Sequence, residues 1–208
     1  MYRSHSIVAI ALVALGLSIP VAGRATDIQS LTQQAQQADN AGKNTQALGL
    51  YELALTESVG QPESVFGPLD GQYWRSIVKS GDFPRALDFF TALTSEQSSP
   101  SATLLASQAS AIGGYMGWLQ QNNLMAGVSQ ASLHQMDTKA RKSYNRALAL
   151  DPDNFSALYG YAIYESYSPN GKAHMQQLLA KLNSLRSSHP QYPWQLVDYL
   201  EQHNHPQL

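Results

Sequence analysis

Residues 137–152 read DTKARKSYNRALALDP, and within them Ala140, Tyr144 and Ala147 stand at i, i+4 and i+7, one face of a helix. Two earlier stretches repeat the pattern. Residues 41–55, AGKNTQALGLYELAL, place Ala47, Tyr51 and Ala54 at the same spacing, and residues 80–93, SGDFPRALDFFTAL, place Ala86, Phe90 and Leu93 there. A small residue lets a partner helix approach closely, and the aromatic one turn later fills the space beside it. Helices built this way bury their faces by stacking one pair on the next.

From Thr26 onward no strand-like alternation occurs, and apolar residues recur at three- and four-residue intervals in segments of 12 to 17. The expected fold is therefore all-α. Helix-end chemistry agrees: Asp82 and Asp137 stand where an N-cap carboxylate can accept orphan amide hydrogens, and Pro84 belongs in a first turn. Asp151-Pro152 and His189-Pro190 end the helices before them.

These residues resemble the tetratricopeptide repeat, a helix–turn–helix unit. Its small-aromatic-small second helix is met by the three triads, its turn glycine by Gly42 and Gly81, and its closing proline by Pro152, with Pro62 and Pro100 standing two or three residues late. After Pro152, FSALYGYAIYE opens as a further first helix, with Leu158 and Ala162 in the apolar and small positions. The resemblance implies a short right-handed solenoid of about four antiparallel helix pairs, closed by a capping helix over 192–203. Residues 101–135, longer than one first helix and holding Gly113, Gly114, Gly117 and the polar run 120–123, depart from the pattern and predict an insertion or an irregular pair.

The resemblance also implies that first helices line a concave groove, whose positions follow by register. They are Gln29, Gln33, Gln36 and Asn40 from the first helix, Gln72, Arg75 and Lys79 from the third, and Tyr159, Ile163 and Ser166 from the last complete pair. An amide wall with two cations suits a protein or peptide partner, Arg75 and Lys79 clamping a carboxylate. Tyr161 and Tyr164 are expected in the core, whereas Tyr159 and Tyr167 face the groove.

The N-terminal run 7–22, IVAIALVALGLSIPVA, has no ionisable group, follows Arg3, and ends on Pro20 and the small residues Ala22, Gly23 and Ala25. That is the form of a secretory signal peptide, cleaved after Ala25 or Gly23; a retained membrane anchor is the alternative. The chain is thus expected to be exported to a periplasm or the exterior, with 1–25 as leader, 26–203 as the repeat domain and 204–208 as a flexible tail. Removing the leader leaves 11 Lys and Arg against 15 Asp and Glu, a mildly acidic chain without the basic footprint that nucleic acid demands.

Only 13% of the 208 residues are charged, about half the usual share, and uncharged amides make up the difference, with 20 glutamines. No cysteine is present, which excludes disulfides and thiolate metal sites. No phosphate-loop, dinucleotide, GxSxG or HExxH motif occurs. His203 and His205 form an HxH pair at the extreme terminus without a placed third ligand, and His134, His174 and His189 stand alone. No metal, cofactor or catalytic residue is expected.

Two fainter similarities exist. Glu165-Ser166, then Ser168-Pro169-Asn170-Gly171 and Met175-Gln176, superficially resemble motifs of lytic transglycosylases, which would make Glu165 an acid cleaving peptidoglycan. The long Gly-rich central segment, ALALDP and the YxxxxPNG turn look similar to the helical-repeat accessory component of TRAP-type solute transporters, which implies a solute-binding protein as partner.

Overall fold

The computed structural model describes residues 21–190 and 192–203, so the apolar run 7–20 and the tail 204–208 lie outside the described residues. Among the described residues there are nine α-helices and no strand. They are α1 Val21–Asn40, α2 Asn44–Ser58, α3 Glu63–Ser80, α4 Phe83–Ser95, α5 Ala102–Gln121, α6 Gln130–Leu150, α7 Phe155–Ser166, α8 Lys172–Ser184 and α9 Trp194–His203, with a 3-10 turn at Met125–Gly127. None of them is long and apolar enough to cross a membrane.

Packing partners are mostly neighbours in sequence. The closest backbone packing joins α1 to α2, α5 to α6 and α7 to α8, followed by α4 to α5, α2 to α3 and α5 to α7. Every residue of the three triads is buried, as are Leu158 and Ala162. The turns depend on Gly42 and Gly81, whose φ angles of 72° and 73° lie in the left-handed region that side chains disfavour. Pro152 occupies the turn between α6 and α7, while Pro62 and Pro100 immediately precede the caps or first turns of α3 and α5.

Two apolar clusters fill the interior. The first holds α1 to α4 and reaches Leu104 and Ala111 of α5; the second gathers Leu105, Ala106 and Ala109 of α5 with α6 to α9. Helix α5 therefore belongs to both. Between α3 and α4 the space is filled by rings: Trp74 stacks on Phe90 at 5.9 Å, and Tyr73 meets Phe90 edge-on at 5.6 Å. Rings of that size leave α3 and α4 with few close backbone approaches, so this pair meets mainly through side chains.

Residues 101–135, expected as an insertion or an irregular pair, hold α5, the 3-10 turn and the start of α6, and Gly113, Gly114 and Gly117 lie within one continuous 20-residue helix. The reason is close approach. A Cβ at 113 would come within 2.8 Å of the Tyr164 ring, and one at 114 within 2.8 Å of the Phe83 ring. Helix α6 likewise begins earlier than its Asp137 suggests. Ser129 is its N-cap, accepting a bond from the Ser132 amide at 3.1 Å, and Asp137 lies inside the helix. Asp82 does cap α4, accepting from the Arg85 amide at 3.4 Å.

Candidate functional site

Helices α1 and α3 meet through their side chains and carry the amide wall that the register predicts. Nε2 of Gln36 donates to Oε1 of Gln72 at 2.9 Å, a bond between side chains 36 residues apart. Beneath that bridge a shallow cleft of about 350 Å³ is lined by Gln29, Gln33, Gln36 and Gln72, with Ile28, Val65 and Leu69 beneath them. A carboxamide can donate and accept at once, which is the hydrogen-bonding complement of a peptide unit. The apolar floor supplies area to bury.

The cations behave differently from expectation. Nζ of Lys79 is held by Asp39, bonding its backbone oxygen at 2.8 Å and its carboxylate at 3.0 Å, so it closes one end of the α1–α3 face instead of waiting for a ligand. Ser76 donates to the same carboxylate at 3.4 Å. Arg75 is exposed and has no ion pair among the described residues. Asn40, at the end of α1, is exposed.

Tyr159 and Ile163 do not join this face. Both pack against the second apolar cluster, and Tyr159 stacks on Phe155 at 5.5 Å in a nest of rings that includes Tyr192 and Trp194. Burial holds its phenol above the ordinary tyrosine value. The cause is the chain after α8, whose aromatic residues fold back onto the first turns of α7. The predicted single groove is therefore two separate surfaces. Tyr167 lies at the solvent-facing end of α7, 85% exposed, and Ser166 is turned into its own helix, donating to Ile163 O.

Two ionic braces, the first partly buried and the second built on a buried carboxylate, were not expected from the sequence. In the first half, Arg85 of α4 grips Glu52 of α2 with two bonds of 2.7 Å, and Tyr73 of α3 donates to the same carboxylate at 3.1 Å. The bond and charge of Glu52 lift the Arg85 guanidinium further above its usual range despite partial burial. Burial, with the Glu52 charge beside it, pushes the Tyr73 phenol far up.

In the second half the buried carboxylate is Glu165 of α7, only 2% exposed. Nη1 of Arg141 donates to its Oε1, and Nδ1 of His174 lies 2.8 Å from the same atom. Arg141 also bonds Asp137 through Nε at 3.0 Å and Ser168 through Nη2 at 2.9 Å, and Tyr164 donates to Asp137 at 2.6 Å. Burial works against the Arg141 charge, but Glu165 and Asp137 more than offset it, so the guanidinium is held more firmly protonated than usual. A carboxylate engaged by a guanidinium and an imidazole braces α6, α7 and α8. It does not have the apolar, open surroundings that a glycosidase acid requires.

The remaining histidines make local contacts: His134 is exposed, and His189 stacks on Tyr192 at 4.9 Å. His205 lies outside the described residues, as does the His203 side chain. Among the described residues no group of three His, Asp or Glu side chains is arranged to hold a metal ion. The chain matches no protein-family model, no curated protein and no solved structure.

Proposed function

We propose that this chain is an exported helical-repeat scaffold, a short right-handed solenoid of antiparallel helix pairs like those of tetratricopeptide proteins, which binds an extended protein or peptide segment across α1 and α3. The solenoid reading draws on the buried triads, the left-handed turn glycines and the close packing of α1 on α2, α5 on α6 and α7 on α8. Export rests on the leader-like composition of residues 1–25.

The binding reading is carried by one observation. Four glutamines from two helices converge over an apolar floor of Ile28, Val65 and Leu69, with the unpaired Arg75 on α3 beyond them. Amides desolvate at less cost than ions, so such a wall can accept backbone groups without first breaking ion pairs. The partner is an extended segment whose main chain meets the glutamines and whose carboxylate meets Arg75.

The test is affinity capture from the native envelope with the mature chain as bait, compared with Gln33→Trp, which fills the cleft, and Arg75→Glu. The expected result is one set of captured polypeptides with wild type that is lost with both variants, while circular dichroism and melting temperature stay unchanged. Equal capture by the variants, or none by the wild type, contradicts the reading.

A further inference from the structure

We infer that the C-terminal end of α5 forms a second and independent site, a platform for a neutral saccharide. The first observation is electrostatic: residues 97–136, 40 in a row, contain no Asp, Glu, Lys or Arg, in a protein whose other helices are braced by ion pairs. That stretch brings no permanently charged side chain of its own to a phosphate, carboxylate or ammonium ligand. It offers hydroxyls, amides and rings.

The second observation is geometric. Tyr115, Trp118 and Asn122 stand at i, i+3 and i+7 on one face of α5, and the Tyr115 and Trp118 rings stack at 5.8 Å with planes 16° apart. Both rings are partly exposed and both are held by a rigid helix, so little freedom is lost when a ligand covers them.

The third observation concerns hydrogen bonds. Gln120, Gln121, Asn122 and Asn123 follow the rings directly and are exposed. Asn122 spends its Nδ2 on the Trp118 carbonyl at 2.8 Å, which fixes the side chain beside the ring and leaves its Oδ1 as an acceptor. Pyranose sugars with equatorial hydroxyls present a flat C–H face to an aromatic ring and paired donor–acceptor hydroxyls at the rim. Stacked rings edged by carboxamides and free of charge are the complement of that shape. The occupant is therefore a neutral hexose polymer, not an ionic ligand.

The probes are chitin and cellulose beads with the mature chain in solution. Wild type is expected to be retained, to resist raised salt, and to be released by the matching soluble oligosaccharide. Trp118→Ala is expected to lower retention by about tenfold, as for an aromatic anchor at the centre of a contact, while Trp118→Phe keeps most of it. Asn122→Arg places a long charged side chain at an exposed position on the ring-bearing face, and is expected to abolish retention in a normally folded protein. No retention of wild type on either bead overturns the proposal. So does retention that is removed by salt, or that is unchanged in both Trp118→Ala and Asn122→Arg.

Discussion

Arg141 of α6 and the buried Glu165 of α7 are bonded to each other, and the pair ties the second half of the molecule together much as Arg85 and Glu52 tie the first. Glu165 can be sequestered because Arg141, His174 and the absence of a side chain at Gly171 all fit around it. Removing one partner of such a pair strands a charge. Arg141→Met is expected to destabilise the fold by about 3–5 kcal/mol in urea denaturation, and the double variant Arg141→Met, Glu165→Leu to recover most of that loss. A double variant as unstable as the single one would show that the bonds, not the stranded charge, are what matter.

Helix α5 supplies a contrast between two glycines. Gly114→Ala pushes a methyl into the Phe83 ring and is expected to cost about 1–3 kcal/mol, whereas Gly117→Ala meets open space and is expected to add about 0.5–1 kcal/mol. Thermal melts of the two variants should move in opposite directions.

Gly171→Ala tests the seating of α8. Its Cβ would lie 2.1 Å from the Glu165 backbone oxygen, so the turn between α7 and α8 must shift. A loss of about 1–3 kcal/mol, with faster amide exchange in α8 than in α2, is expected.

Alkaline pH should unfold the protein for an identifiable reason. Burial raises the phenols of Tyr73, Tyr144 and Tyr164 above the ordinary value of 10.0, with the charges of Glu52 and Asp137 adding to it for Tyr73 and Tyr164. A raised value in the fold means that the native state holds its protons longer than the unfolded chain. Stability is therefore fully present below pH 10.0 and falls as pH rises above it. Tyrosinate absorbance should rise in two stages, the exposed residues first and the buried ones together with loss of helical circular dichroism. A single stage without unfolding would contradict the assignment.

Much of the helical layout is legible in the sequence because the signals are local. The triads report burial through spacing alone, Gly42 and Gly81 report turns through φ, and Asp82 caps α4 one residue before Phe83. The failures arise where a residue's role depends on something distant. Asp137 has the chemistry of a cap, but Arg141 and Tyr164 engage it inside α6, while Ser129 caps the helix eight residues earlier. The glycines of α5 reveal their packing role only when the rings of Tyr164 and Phe83 are placed against Gly113 and Gly114. The amide wall follows from register because side chains of α1 and α3 meet, whereas Tyr159 is claimed by Phe155, Tyr192 and Trp194, a contact no spacing announces. Lys79 likewise looks available until Asp39 is beside it.

The central claim is that partners bind across α1 and α3, and site-specific photocrosslinking tests it most directly. A photoreactive side chain at Gln33, in the cleft, is compared with one at Leu150, exposed at the end of α6. The account predicts a discrete crosslinked polypeptide in the native envelope from position 33 and none from position 150. Crosslinks from position 150 alone, or the same product from both, would contradict it.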